Sequence, residues 1–116
     1  MIVNVNCIVF HVSDLKSARN FYQKILGLEL KGEKPDYVSF RCHGVEIGLE
    51  LGGKAGQNQS APEVYLLVDD ISFWQNHLQT NNVKIIKGLR KEPWGGTVIT
   101  LADPDDNLLH LVQFGK

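Results

Sequence analysis

Four side chains that are able to bind a metal ion occupy matching positions in the two halves of this sequence. Cys7 and Glu63 stand among apolar residues in the first strand-like stretch of each half, and Glu50 and His110 in the last. Because thiolate, imidazole and carboxylate are all ligands of zinc, these four residues predict a site for one divalent ion, zinc or nickel. Glu50 and Glu63 would also be the catalytic bases of an enzyme, since burial in an apolar cavity raises a carboxylate pKa towards neutrality.

The same residues have a structural explanation that needs no metal. Cysteine is among the residues most often buried, and it packs as a small hydrophobe. A glutamate on a strand is usually solvated, and an isolated histidine more often bonds a neighbouring group than a metal. The sequence therefore leaves two alternatives open, one bound divalent metal or no cofactor.

Four side chains are candidates for contact with a small-molecule ligand. His11 shares a strand face with Cys7, and its imidazole changes charge near neutral pH, which suits an anionic or hydrogen-bonding group. Trp94 precedes two glycines in a loop between strands, where an indole can stack on a flat molecule. Tyr65 and His110 complete the predicted ligand-binding set. The sequence contains no motif for a nucleophilic serine, a phosphate loop or a dinucleotide.

Each half of the sequence has the pattern of a strand, a helix and three further strands. In the first half, enrichment in Val and Ile predicts a strand over 2–12. Apolar residues at three- and four-residue steps then predict a helix that is capped by Ser13 or Asp14 and ends at Gly27. The three strands that follow are predicted at 29–31, 37–42 and 45–51.

The second half repeats this order after a connecting segment over 52–62. Val12-Ser13-Asp14-Leu15 and Val68-Asp69-Asp70-Ile71 each close a first strand and open a helix. A one-sided sheet cannot bury its face alone, so the two modules must pair, within the chain or across a dimer. The sequence thus predicts an α+β fold and a single domain over 1–116, with module 1 at 1–51 and module 2 at 63–116. The elements predicted in module 2 are strands at 63–69, 83–86, 96–102 and 107–114 and a helix at 70–80.

Length, composition and charge exclude several classes of protein. The 116 residues suffice for one ordinary domain, and 43% hydrophobic with 22% charged residues is close to a soluble globular average. A net charge of -1 offers no field that would attract nucleic acid or an anionic membrane. The two cysteines make no disulfide framework, and the sequence shows neither a leader pattern nor an apolar span of about 20 residues. We therefore expect a cytoplasmic protein without nucleic-acid or membrane partners.

Two groups of motifs cover nearly the whole chain between them. The first is VSDLKSARNFY at 12–22 with ILGL at 25–28, and the second is PWGG at 93–96 with DPD at 103–105 and Asn107. Together they resemble the two modules of the vicinal oxygen chelate superfamily, which contains glyoxalase I, bleomycin-resistance proteins, fosfomycin-resistance enzymes and extradiol dioxygenases. The resemblance implies two tandem βαβββ modules that form a bowl-like mixed sheet, commonly in a homodimer.

The resemblance also implies which positions would bind a metal. In metal-dependent members of the family, two His or Gln side chains on the first strands and carboxylates on the later strands hold an ion that chelates two oxygens of the substrate. This sequence departs from that pattern, with Cys7 at the first His position, Glu63 at the second, and His110 where Glu is usual. Glu50 alone matches glyoxalase I. The soft thiolate would suit iron(II) or magnesium less well than zinc.

Two functions are predicted from this resemblance. Pro93-Trp94-Gly95, Asp103-Pro104 and His110 look like the bleomycin-resistance branch, which binds its drug without a metal and does no chemistry on it. The first prediction is therefore binding of a small hydrophobic or aromatic molecule in the bowl of the sheet, as in resistance by sequestration. The alternative is a metal-dependent lyase, isomerase or thiol transferase of the glyoxalase I or fosfomycin-resistance type. Whether the protein is an enzyme is left open by the sequence.

Overall fold

The computed structural model describes residues 1, 3–53 and 62–115. The chain divides into two compact units, Met1–Asn58 and Gln59–Lys116, and each has the predicted order of one strand, one helix and three further strands. The α+β class predicted from the sequence is therefore confirmed, in the form of two four-stranded mixed sheets. Most of the predicted connecting segment, 54–61, lies outside the described residues.

In the first unit a helix covers one face of the sheet. Asp14 caps helix α1 (Leu15–Asn20) by accepting a hydrogen bond from Lys16 N at 3.0 Å, and the helix continues as a π-helical turn over Phe21–Ile25. Gly27 follows with φ +77°, a left-handed conformation that glycine adopts without strain and that terminates the helix. The strands are β1 (Cys7–Val12), β2 (Glu29–Lys34), β3 (Tyr37–Cys42) and β4 (Val45–Leu51).

The two faces of the first sheet have different chemistry. Its strand order is β1–β4–β3–β2, with β1 parallel to β4 and the other neighbours antiparallel. The face beneath the helix is apolar, and alternation along the strands places Cys7, His11, Glu46 and Glu50 on the opposite face. The first unit thus has an apolar core on one side and a polar sheet surface on the other. The core residues are Ala18, Phe21, Tyr22, Val38, Phe40, Ile47 and Leu49.

The second unit repeats this architecture with a strand order of β5–β8–β7–β6 and a parallel β5–β8 pair. Its helix is capped by Asp70, which accepts a hydrogen bond from Phe73 N at 3.2 Å. Leu78, Leu101 and Leu109 lie in its core. Neither helix within the described ranges is long and apolar enough to cross a membrane. The elements are β5 (Tyr65–Leu67), α2 (Ile71–Thr80), β6 (Lys84–Lys91), β7 (Gly96–Ala102) and β8 (Leu108–Phe114).

The strand lengths differ from those predicted. β1 begins at Cys7 rather than at residue 2, and β5 has three residues where seven were predicted. In contrast, β2 extends to Lys34 and β6 to Lys91, both beyond the predicted ends. β2 and β6 are edge strands with irregular register, and pairing with their neighbours extends them through polar stretches that carry no alternation.

A buried carboxylate holds the turn between β7 and β8. Asp103 is 3% exposed, and its Oδ1 accepts hydrogen bonds from Asp105 N at 2.9 Å and Asn107 N at 2.8 Å. Its Oδ2 accepts a third from Asn107 Nδ2 at 2.8 Å. The turn predicted at this position therefore has a specific cause, since one aspartate accepts three hydrogen bonds from donors of the turn.

Candidate ligand site

The buried histidine of the second sheet is His110, on β8. It is 6% exposed and pairs across the parallel strands with Tyr65 of β5. The two rings stack with centroids 4.3 Å apart and planes 15° apart. Two of the predicted ligand-binding residues are thus in direct contact, because their strands put them at the same level of one sheet face.

Both nitrogens of His110 face polar groups. Nδ1 lies 2.8 Å from Thr100 Oγ1, and that oxygen also accepts a hydrogen bond from Arg90 Nη2 at 3.0 Å. Nε2 lies 3.0 Å from Glu63 Oε1, but this close contact lacks the alignment of a hydrogen bond. The imidazole is therefore held through Nδ1, and its Nε2 is directed at Glu63.

The surroundings of His110 favour its neutral form. Burial is the largest influence and lowers the pKa of His110 below its ordinary value of 6.5. The charge of Glu63 acts in the opposite direction, and the charges of Arg90 and Lys87 lower the pKa further. At neutral pH the imidazole is consequently uncharged, with one nitrogen donating and the other accepting.

Beside this pair lies an apolar pocket of about 480 Å³. Trp94 stands edge-on to Tyr65, with ring centroids 6.0 Å apart, and its centroid lies 5.9 Å from that of Phe114. Gly96 leaves room for the indole, because a Cβ at that position would collide with the Trp94 ring and lie 2.9 Å from Val112 Cγ2. We call this surface the aromatic face; it consists of Tyr65, Leu67, Trp94, Val112 and Phe114.

The first unit has a different arrangement at its polar face. Glu46 Oε1 lies 2.6 Å from Lys31 Nζ, and Glu46 Oε2 accepts a hydrogen bond from the Tyr37 hydroxyl at 2.6 Å. The bonds from Lys31 and then Tyr37 lower the pKa of Glu46. Burial and the bond to Glu46 raise the pKa of Tyr37 well above its ordinary 10, so its hydroxyl stays protonated.

Sequence reasoning did not single out Glu46 or Tyr37. A signal was present in Gly48, because a glycine inside a strand often marks the close approach of another group. The Tyr37 side chain fills the space where a side chain at position 48 would begin.

The strand register corrects one step of the repeat alignment. Asp14 and Asp70 are matching helix caps, so Val9 of the first unit corresponds to Tyr65 of the second. Val9 pairs with Gly48, and Tyr65 pairs with His110. The residue that corresponds to His110 is therefore Gly48, and the predicted correspondence of Glu50 with His110 is wrong by two residues. The pattern did not reveal which loop of the second unit contains its additional residues.

The four predicted metal ligands come together only in part. Glu63 and His110 meet in the second unit, whereas in the first unit Cys7 pairs with Glu46 and Glu50 pairs with His11. Among the described residues of each unit, no three His, Cys, Asp or Glu side chains lie close enough to hold a metal ion. The ligand role of His11 and the metal and base roles of Glu50 stay predictions.

Comparison with known proteins places the chain in a family. Residues 4–111 match the family model of the Glyoxalase/Bleomycin resistance protein/Dioxygenase superfamily. Among curated proteins, Metallothiol transferase FosB of Bacillus licheniformis is 26% identical over 118 residues, which cover 95% of this chain and 75% of that protein. FosB of Staphylococcus epidermidis is 28% identical over 115 residues, covering 95% and 81%.

Solved structures share the fold. The fosfomycin resistance protein FosX from Listeria monocytogenes superposes with a TM-score of 0.85 at 21% identity, covering 99% of this chain and 96% of that one. TnmS3, an antibiotic binding protein from Streptomyces sp. CB03234, superposes with a TM-score of 0.81 at 24% identity, covering 98% of each. The resemblance seen in the sequence motifs is confirmed: the chain belongs to the Glyoxalase/Bleomycin resistance protein/Dioxygenase superfamily.

Proposed function

We propose that this protein binds a planar aromatic molecule on the aromatic face of its second unit. The observation that carries the proposal is the arrangement of Tyr65, stacked on His110 and edge-on to Trp94, beside an apolar pocket of about 480 Å³. A volume of this size is typical of small-molecule sites, which are mostly apolar with a few polar groups.

The exposure of these side chains supports the proposal. Tyr65, Leu67, Trp94 and Phe114 are between 44% and 74% exposed although they are neighbours on one surface. A group of exposed apolar side chains marks a site of interaction, because water contact with it is unfavourable. Aromatic rings that meet edge to face offer both a flat surface and a wall to a planar ligand. The fold is compatible with this role, since TnmS3 is an antibiotic binding protein.

A titration with 2-acetylnaphthalene tests the proposal. We expect saturable binding, measured by the nuclear magnetic resonance (NMR) shift of the indole N–H proton of Trp94. Tyr65→Ala and Trp94→Ala should each weaken binding about tenfold, since each removes a ring worth about 1.4 kcal/mol of contact. The tyrosine variant is followed by the indole signal, and the tryptophan variant by the backbone amide of Phe114.

Phe73→Ala provides the matched control. Phe73 is an exposed aromatic residue on α2, 54% exposed and stacked on His77, and does not line the pocket. Its removal should leave the affinity unchanged. Equal losses in all three variants, or no saturation in the wild type, would reject the aromatic face as a binding site.

A second function, that of a metal-dependent thiol transferase, is favoured by one contact and by the curated relatives. Glu63 Oε1 and His110 Nε2 lie 3.0 Å apart, which would allow both to bind one ion. In this case Glu63 and His110 would be two of the metal ligands, and the metal roles of Cys7 and Glu50 stay predictions. A bound zinc or nickel ion would supply a Lewis acid that polarises substrate oxygens. The FosB relatives are named metallothiol transferases.

Elemental mass spectrometry of protein purified without a histidine tag separates the two functions. For a protein that binds aromatic molecules, we expect substoichiometric zinc and nickel and no difference between the wild type and His110→Ala. Near-stoichiometric metal that is lost in His110→Ala would instead establish the second function. Size-exclusion chromatography with light scattering would test the homodimer, which stays a prediction, as does the cytoplasmic location.

A further inference from the structure

The direction of one hydrogen bond on the second sheet is fixed by arginine chemistry. Arg90 Nη2 lies 3.0 Å from Thr100 Oγ1, and a guanidinium has donors only, so the hydroxyl oxygen must accept. The hydroxyl proton of Thr100 then needs an acceptor of its own. Within the described part of the chain, His110 Nδ1 at 2.8 Å is the acceptor available to it.

This geometry determines where His110 carries its proton. Nδ1 accepts from Thr100, so a neutral imidazole keeps its single proton on Nε2. The opposite tautomer would place a second donor against the Thr100 oxygen. The hydroxyl proton would then be left without an acceptor on a side chain that is 3% exposed, which is unfavourable for a buried donor.

The protonated nitrogen of His110, Nε2, faces the Glu63 carboxylate, which a ligand can replace. Nε2 lies 3.0 Å from Glu63 Oε1 without hydrogen-bond alignment, and the Glu63 side chain is 69% exposed. A ligand oxygen could therefore take the place of the carboxylate at low cost. Glu63 precedes Tyr65, the first residue of β5, by two residues, which is roughly 6.6 Å along an extended backbone. One planar molecule is large enough to lie against Tyr65 and reach Nε2 with an oxygen at its edge.

We propose that Arg90 and Thr100 are positioning residues that hold His110 as an Nε2–H donor, so that the site selects aromatic ligands with a neutral oxygen acceptor, such as a ketone, at the ring edge. This inference rests on the proposed function and names its ligand class. A neutral acceptor fits best because the nearby charges of Arg90 and Lys87 are offset by those of Glu63 and Glu92, whose Oε1 lies 3.6 Å from Arg90 Nε.

The first unit shows that the fold does not impose this arrangement. At the positions that correspond to Thr100 and His110, it has Ser39 and Gly48, which pair with each other across β3 and β4. There the Tyr37 hydroxyl donates to a carboxylate instead. The hydrogen bonds from Arg90 to Thr100 and from Thr100 to His110 are therefore specific to the residues of the second unit.

Nitrogen NMR of the protein without ligand tests the tautomer directly. Long-range proton–nitrogen spectra distinguish protonated from unprotonated ring nitrogens, and His110→Gln identifies the His110 signals among the four histidines. We expect Nε2 protonated and Nδ1 unprotonated in the wild type and in Thr100→Ser, which keeps the hydroxyl. Thr100→Val should shift the Nδ1 resonance by removing its donor. A wild-type His110 with its proton on Nδ1 would overturn the inference, whether or not any ligand binds.

Two probes of equal size test the selectivity. We expect 2-acetylnaphthalene to bind about tenfold more tightly than 2-ethylnaphthalene, which lacks the carbonyl oxygen. Thr100→Val should reduce this preference towards parity and leave the affinity for 2-ethylnaphthalene unchanged, while Thr100→Ser preserves both. If Thr100→Val does not fold, Arg90→Leu should lower the same preference. Equal affinity of the wild type for the two probes would overturn the ligand class and leave the aromatic face intact, whereas no binding of either probe would reject the proposed function itself.

Discussion

Replacement of Asp103 by alanine should lower the free energy of unfolding by about 3 kcal/mol, because hydrogen bonds to a charged group contribute about 1.5–3 kcal/mol and two of the three bonds lost are buried. Asn107, which supplies two of the three donors, is 4% exposed, so water cannot replace the carboxylate. The loss corresponds to a decrease in melting temperature of roughly 10–20 °C for a chain of this size. Thermal and urea unfolding followed by circular dichroism would measure it.

Asp106→Asn is the matched control in the same turn. Asp106 has φ +64°, a conformation that asparagine tolerates, and its ion pair with Lys84 at 3.1 Å is exposed on both sides. An exposed pair of this kind contributes at most about 1 kcal/mol. Similar losses for the two variants would show that charge in the turn, and not the buried hydrogen bonds of Asp103, stabilises it.

Addition of a methyl group at Gly96 should weaken the binding of 2-acetylnaphthalene about tenfold, the same loss as for Trp94→Ala. The new Cβ would overlap the Trp94 ring and approach Val112, both of which line the pocket. Because the indole is 51% exposed, it can move outwards, and the aromatic face then loses one wall. The same titration as for Tyr65→Ala measures the loss, and about 1.4 kcal/mol is the corresponding free energy.

Two further variants make this test specific. Gly88→Ala adds the same group to the neighbouring β6 and should leave binding unchanged, because among the described residues no heavy atom beyond the two chain neighbours lies within 4 Å of the new Cβ. In a Trp94→Ala background, Gly96→Ala should have little additional effect, since the ring that it displaces is gone. Additive losses in the double variant would mean that Gly96→Ala acts through the sheet rather than through Trp94.

Much of the fold could be predicted because it depends on local signals. The helix caps Asp14 and Asp70, the glycine at position 27 and the apolar spacing of both helices act within a few residues of chain. Tyr65 and His110, both predicted to contact a ligand, stack on each other, and their ligand role stays a prediction. Trp94, also predicted to contact a ligand, lies edge-on to Tyr65.

The rest depends on register, which the pattern does not contain. Gly48 of the first unit corresponds to His110 of the second because each pairs with a matching residue of the parallel first strand. That pairing joins strands that are distant in sequence, so the pattern does not reveal it. Arg90 reaches Thr100 because the register of β6 against β7 shifts twice. No residue type in β6 predicts those shifts. The hydroxyl–imidazole contact could therefore not be inferred before the strands were aligned.

The parallel pairing of first and last strands has a consequence for how the chain folds. β1 joins β4, and β5 joins β8, so each sheet closes by contacts between the two ends of its own unit. On a growing polypeptide, β1 has no partner until β4 has been synthesised, whereas the β3–β4 and β7–β8 hairpins can form as soon as they emerge. Such long-range closure is slower than local pairing, so joining of the parallel strand should be the late step in each unit.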